Sequence, residues 1–205
     1  MNRVERRGVT GVALIVLALL TGCSTTSQSS RFYLMSPLQE TLEQSRMITT
    51  QPLLGISSVG LADYLDRPQI LVRNGPHRLE LNEFDRWAGP LQENLRSVLS
   101  RSLEQHFGAE QVIVAPWHDA LRPAYELSLQ IDQLDATQAG DLTLRGRWTL
   151  YAPAGRQLVA LGRISLREAI AGAGADAEAI VAATAVVVAR LGDRLAKQIS
   201  PHLKP

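Results

Sequence analysis

The sequence predicts an α+β protein, a two-layer sandwich in which two long helices pack on one face of a mostly antiparallel sheet. In two stretches, which begin near Pro90 and Ala177, apolar residues repeat with the period of a helix. In three other stretches, which lie between those helices, apolar and polar residues alternate as they do in strands with one buried face. Strands, a helix, strands and a helix in succession favour this layered architecture.

The amino terminus predicts an export signal rather than part of the fold. Three arginines precede an apolar run over residues 9–20 that is too short to cross a bilayer as a stable helix. The run ends at Leu20-Thr21-Gly22-Cys23, which resembles the lipobox of bacterial lipoproteins, in which the cysteine is acylated and the signal is cut before it. We therefore assign 1–22 as a signal peptide, 23–30 as a lipidated flexible tether and 31–205 as one periplasmic domain. The alternative is a signal cut elsewhere, which leaves an exposed thiol.

Composition narrows the class of protein. Removal of the first 22 residues, which hold three arginines and one glutamate, leaves 183 residues with 18 basic and 19 acidic side chains. A nearly neutral chain argues against a nucleic-acid partner and against attraction to anionic lipid as the main membrane contact. Cys23 is the only cysteine, so an acylated chain has no thiol for a disulfide, for catalysis or for zinc.

The first half of the domain predicts short strands and one helix. Asn74-Gly75 followed by Pro76 is typical of a hairpin turn. From Pro90 the apolar residues share one face of a helix, which ends at Gly108. The predicted strands of this half cover residues 31–35, 52–59, 69–73, 77–81 and 111–114.

The second half predicts an antiparallel meander and a closing helix. Its three long strands cover residues 125–131, 142–150 and 157–169, and Gly146 takes one position of the apolar face. The helix covers residues 177–199, with Asp176 placed to cap it and Pro201 ending it.

No motif predicts catalysis. The four histidines lack metal-ligand spacing, and we interpret His106, at a helix C-terminus, as a capping residue. A hydrolase would need carboxylates that cluster in space. The carboxylates near the first hairpin are interpreted as solvated; they are Asp63, Asp66, Glu80, Glu83 and Asp85. We expect no enzyme activity, no metal and no cofactor other than the lipid on Cys23.

Two stretches combine aromatic residues and arginine, which often dominate interfaces. They are Tyr64-Leu65-Asp66-Arg67-Pro68, in a turn, and the segment around Trp87 before the first helix. The candidate partner-binding residues are Tyr64, Leu65, Asp66, Arg67 and Trp87. In the alternative interpretation, Tyr64 and Trp87 close the end of the sheet, and the neighbouring charged residues form local pairs and caps.

These residues resemble the ABC-type transport auxiliary lipoproteins of the PqiC type. The resemblance covers about Arg31 to Ile199. Its motifs are Phe32-Tyr33-Leu34, Tyr64-Leu65-Asp66-Arg67-Pro68-Gln69-Ile70 with Val72-Arg73, Arg86-Trp87-Ala88 with Pro90-Leu91, Tyr125 and Trp148.

The resemblance implies a non-enzymatic docking component of a lipid transport system that maintains the envelope. In such systems a permease and an ATPase work with a mammalian-cell-entry (MCE) protein, which is the expected partner; a homo-oligomer is a further expectation. Ser24 after the cysteine implies the periplasmic face of the outer membrane rather than the inner membrane. The alternative functions are a small lipid carrier with a pocket between sheet and helices, and an envelope hydrolase.

Overall fold

The predicted α+β architecture, with two long helices on a sheet, is confirmed. The computed structural model describes residues 28–36, 53–117, 121–152, 157–172 and 176–203. Cys23, the signal peptide and most of the tether lie outside the described residues, as does His118.

Eight strands and two long helices make up the fold. The strands are β1 (Arg31–Tyr33), β2 (Leu54–Leu61), β3 (Gln69–Arg73), β4 (Leu79–Trp87), β5 (Val112–Val114), β6 (Tyr125–Thr137), β7 (Asp141–Ala152) and β8 (Gln157–Ala169). The helices are α1 (Leu91–Phe107) and α2 (Ala177–Ile199), and a short 3-10 turn covers Asp63–Leu65.

Strand β6 is the centre of the sheet. On one side it pairs along its length with β7, which pairs in turn with β8. On the other side its first half pairs with β2, and Ala136 and Thr137 near its end pair with β3. Since β2 and β3 both run parallel to β6, the chain between them leaves the sheet and returns to it. The segment that leaves is residues 62–68, which contains the Tyr64 turn.

The sheet is mixed, with more parallel pairing than the meander alone predicts. The predicted antiparallel meander β6–β7–β8 is present, and β3 and β4 form the predicted hairpin. The pairs β1–β4, β2–β5, β2–β6 and β3–β6 are parallel. Parallel neighbours need a crossover, and α1 lies in the long connection that brings the chain back beside β2 as β5.

The helices form the second layer and cover the apolar face of the sheet. Helix α1 has the predicted bounds, and its final residue is followed by Gly108 with φ +95°, a conformation that favours glycine. Helix α2 also has the predicted bounds. Its N-cap residue is Asp176, but the carboxylate makes no capping hydrogen bond, contrary to our expectation; only its backbone oxygen accepts a bond, from Ile180.

Two strands are longer than predicted, for different reasons. Strand β4 continues to Trp87 because its second part pairs with β1, a contact that local alternation does not reveal. Strand β6 continues to Thr137 through a register shift between Ile131 and Gln133. No helix among the described residues is long and apolar enough to span a membrane.

Gly146 on β7 lies beside the register shift of β6, where the two backbones come too close for a larger residue. A Cβ atom at this position would overlap the backbone carbonyl oxygen of Gln130 on β6. Backbone atoms in the middle of a paired sheet cannot move aside cheaply, so the small residue that interrupts the apolar face is a packing requirement.

We expect Gly146→Ala to destabilise the domain by about 1–3 kcal/mol, because the added methyl group forces the two central strands apart. Urea denaturation measures the change. Gly89→Ala is the matched control, since a Cβ there meets nothing within 4 Å, and it should stay within about 0.5 kcal/mol of the wild type. Equal stability of the two variants would contradict this interpretation.

Candidate interaction site

The first strand is fastened to the domain by a buried carboxylate. Asp85 on β4 is buried and accepts two hydrogen bonds from Arg31, at 2.6 Å to Nε and 2.9 Å to Nη2. The hydroxyl of Tyr33 donates a third at 3.1 Å. A bidentate pair with a further donor satisfies most of a carboxylate's bonding capacity, which a buried charge requires.

The protonation behaviour of this cluster follows from its bonding. Burial alone would raise the pKa of Asp85, but the hydrogen bonds from Arg31 and Tyr33 outweigh it, and the pKa lies below its usual value. Burial and the hydrogen bond to Asp85 raise the pKa of Tyr33. Asp85 is therefore ionised and Tyr33 neutral at neutral pH.

Backbone and amide bonds hold the residues that follow. The amide of Ala88 donates to the Tyr33 carbonyl at 2.8 Å. Asn94 on α1 binds both backbone groups of Met35, accepting from its amide at 2.9 Å and donating to its oxygen at 3.2 Å. The chain that leads to Cys23 thus enters the fold at a point bonded to both β4 and α1.

A second buried carboxylate organises the Tyr64 turn. Asp135 on β6 is buried and accepts bonds from Arg73, at 3.1 Å to Nε and 2.7 Å to Nη2. Gln133 donates at 2.9 Å and the Tyr64 hydroxyl at 3.3 Å. Burial, together with the charge of Asp135, raises the pKa of Tyr64. Its hydroxyl is therefore a structural hydrogen-bond donor.

The structure brings the two predicted binding segments together. The amide of Trp87 donates to the Pro68 carbonyl at 2.7 Å, and the side chains of Leu65 and Trp87 line one cavity between the sheet and α2. That cavity has a volume of about 20 Å³. A volume of this size holds about one water molecule and no acyl chain.

Only part of the candidate surface is accessible. Leu65 and Trp87 are 2% and 8% exposed, so they belong to the core and not to a contact surface. The burial of Trp87 agrees with the alternative interpretation, in which Tyr64 and Trp87 close the end of the sheet. Tyr64 is half-buried, Asp66 is exposed, and Arg67 is partly exposed.

Arg67 has an unusual environment. Its Nε atom is buried and has no hydrogen-bond partner among the described residues. A buried donor without an acceptor costs free energy, so the fold holds the Arg67 side chain in this position at a cost.

The charged residues singled out for chemistry are dispersed. Glu80 is bonded to Asn74 and Arg78, which lower its pKa. The interpretation of Asp85 as solvated was wrong, because Asp85 is buried and paired with Arg31. The His106 Nε2 atom lies 2.8 Å from a carboxylate oxygen of Asp193 on α2, so it links the helices. In the described part of the chain no three His, Cys, Asp or Glu residues form a group that could hold a metal ion.

Sequence reasoning missed a basic surface on the outer face of the sheet, opposite the helices. Arg147 and Arg163 are paired across β7 and β8, with Arg145 and Arg167 on the same face, and all four are exposed. Arg147 lies 3.7 Å from Asp132, whereas no salt bridge of the described residues includes the other three. The alternation of apolar and polar residues in β7 and β8 places these arginines on the outer face. Which arginines lie opposite each other follows only from the register of the two strands.

Comparison with known proteins identifies the class. The sequence profile of a family described as the ABC-type transport auxiliary lipoprotein component matches residues 33–196. The chain belongs to this family, which is an auxiliary component of ABC-type transport and a lipoprotein of the cell envelope. No curated protein sequence matches the chain.

Several solved structures share the fold. Protein XCC0632 from Xanthomonas campestris is 19% identical with a TM-score of 0.64, and the alignment covers 82% of this chain and 93% of that one. A crystal structure of an uncharacterised protein has a TM-score of 0.68 at 19% identity, covering 84% and 100%. The hypothetical protein CT253 from Chlamydia trachomatis has a TM-score of 0.50 at 8% identity, covering 75% and 98%.

The Asp85 cluster predicts how stability depends on pH. Because the pKa of Asp85 is lower in the folded chain, its ionised form stabilises the fold above the unfolded value of about 3.9, and this is lost as the pH falls through the folded value. We expect Asp85→Asn to lower the free energy of unfolding at pH 7 and to flatten its fall between about pH 5 and pH 2.

Urea denaturation at a series of pH values measures both effects. The control is Asp66→Asn, because Asp66 is exposed and belongs to no salt bridge of the described residues. This variant should keep the wild-type slope. An Asp85→Asn profile that runs parallel to that of the wild type would refute the assignment of this carboxylate.

Proposed function

We propose that this protein is a non-enzymatic docking component of an MCE-type lipid transport system. Acyl chains on Cys23 anchor it to the periplasmic face of the outer membrane, and its domain binds the MCE protein there. Family membership supports an auxiliary role in transport. The export signal and Ser24 support the outer membrane, since the residue after the lipidated cysteine carries the sorting signal.

The observation that carries the docking proposal is the position of Arg67, whose side chain is partly exposed in a turn that buried neighbours hold in place. Arg67 lies next to the exposed Asp66 in the turn that leaves the sheet between β2 and β3. The buried side chains of Leu65 and Trp87 and the hydrogen bond from Tyr64 to Asp135 hold the turn in place. Such a surface is preorganised, which lowers the entropic cost of binding.

An acidic group of the partner fits this surface best. The partly exposed guanidinium group of Arg67 can form a charge-assisted hydrogen bond with a carboxylate that approaches it. Tyr64 and Asp66 lie beside it, and the exposed carboxylate of Asp66 calls for a hydrogen-bond donor or a positive charge on the partner next to the acidic group. Leu65 and Trp87 act only by holding the turn in place.

The lipid-carrier alternative has less support. A carrier needs a cavity that encloses acyl chains, and ligand pockets usually have volumes of about 300–1,000 Å³. The cavity between the sheet and α2 is more than tenfold smaller than that. The hydrolase alternative needs a cluster of carboxylates, and two of those near the first hairpin, Glu80 and Asp85, each have their own partners.

The docking proposal predicts a charge-dependent interaction. We expect Arg67→Glu to weaken capture of the MCE protein by about tenfold or more, because the reversed charge repels an acidic partner and removes the donor. Copurification from detergent-solubilised membranes at several salt concentrations measures it. Circular dichroism confirms that the variant is folded.

Arg163→Glu is the matched control, because this exposed arginine lies on β8, remote from the Tyr64 turn. It should leave capture unchanged. If Arg163→Glu abolishes capture and Arg67→Glu does not, the partner binds the outer face of the sheet and the proposed surface is wrong.

A further inference from the structure

Two large apolar side chains are exposed where the chain enters the fold. Phe32 and Leu34 are 65% and 60% exposed. Their neighbours Tyr33 and Met35 point into the domain, where Tyr33 bonds to buried Asp85 and Met35 is buried. Because successive residues of an extended chain point to opposite sides, Phe32 and Leu34 face away from the helices.

These two residues belong to a local apolar patch. Among the described residues eight large hydrophobic side chains are exposed, and four of them, Phe32, Leu34, Leu81 and Phe84, lie on or beside the strands β1 and β4. Phe32 is in register with Arg86, and Phe84 precedes Arg86 by two residues on the same strand. Single exposed apolar residues are ordinary, but such a grouping marks a contact surface.

The length of the chain before the patch indicates what covers it. The eight residues from Cys23 to Ser30 are mostly Ser and Thr, and a flexible segment of this length has a root-mean-square span of about 15 Å. Even if it were fully extended, the chain from Cys23 to Phe32, nine residue steps, would reach only about 30 Å. Acyl chains on Cys23 therefore keep Phe32 and Leu34 next to the bilayer.

We propose that Phe32 and Leu34, with Phe84 beside them, insert into the headgroup region of the bilayer that holds Cys23. This inference rests on the proposed acylation of Cys23. Aromatic and aliphatic side chains suit the boundary between headgroups and acyl chains.

Insertion of the patch orients the domain on the membrane, which a tether of Ser and Thr residues alone does not do. Tyr33 and Arg31 hold β1 on β4 through Asp85, and Asn94 holds Met35 on α1, so the patch cannot turn independently of the domain. Contact between the patch and the bilayer therefore orients the whole domain relative to the membrane surface.

The experiment uses the full-length acylated protein on vesicles of phosphatidylethanolamine and phosphatidylglycerol that contain a phosphatidylcholine brominated on its acyl chain. Phe32→Trp places a fluorescent reporter in the patch. Leu161→Trp is the matched control, because Leu161 is equally exposed, at 64%, but lies on β8 at the other edge of the sheet. The wild-type protein, with three tryptophans, provides the background.

We expect the emission added by Phe32→Trp to shift to the blue and to be quenched by the brominated lipid. The emission added by Leu161→Trp should resemble that of tryptophan in water and stay unquenched. Quenching should be stronger with bromine near the headgroup than deep in the chain, because interfacial residues enter only about 5–10 Å.

Four results would overturn the proposal. An unshifted, unquenched reporter at position 32 means that the patch faces water, and a blue shift without quenching means that protein covers it. Quenching at position 161 alone means that the basic face of the sheet lies on the membrane, and equal quenching at both means that there is no fixed orientation. If the wild-type protein fails to float with vesicles, the anchor itself is contradicted; flotation with an unquenched Phe32→Trp contradicts only the insertion.

Discussion

The bidentate pair between Arg31 and Asp85 is the interaction on which the relation between domain and membrane depends. Strand β1 has only three residues and pairs with one neighbour, so its backbone bonds alone hold it weakly. The buried carboxylate gives it a strong attachment, with Tyr33 as a further donor. Loss of that attachment would lengthen the link between Cys23 and the folded domain by several residues and leave the buried carboxylate of Asp85 without Arg31 and Tyr33.

The same design recurs at the Tyr64 turn. Buried Asp135 accepts two hydrogen bonds from the guanidinium group of Arg73 and one from the hydroxyl of Tyr64. These bonds hold the Tyr64 turn against the sheet. Asp85 fixes the segment that leads to the membrane, and Asp135 fixes the segment that carries the proposed partner surface. The rigid sheet between them gives the two sites a constant relative position, which is what a docking component requires.

Sequence reasoning predicted both long helices close to their observed bounds, because each has a strong apolar period and a clear terminal signal in Gly108 or Pro201. It predicted the β6–β7–β8 meander from alternation. It could not predict the parallel pairs, because β1, β2 and β5 are placed by contacts distant in sequence. The candidate site was only partly predictable. Composition selected the Tyr64 turn and Trp87. It could not tell that Leu65 and Trp87 are buried while Arg67 is partly exposed, because burial depends on the register of β3 and β4.

The central claim is that the domain acts by being held at a membrane, and removal of the lipid tests it most directly. A periplasmic form made with a cleavable non-lipoprotein signal and Cys23→Ala is compared with the wild type in a strain that lacks the native protein. Lipid transport between the membranes is measured at equal protein levels. We predict that the soluble form folds normally, with the wild-type free energy of unfolding, and restores no transport. Full restoration of transport by the soluble form would contradict the account.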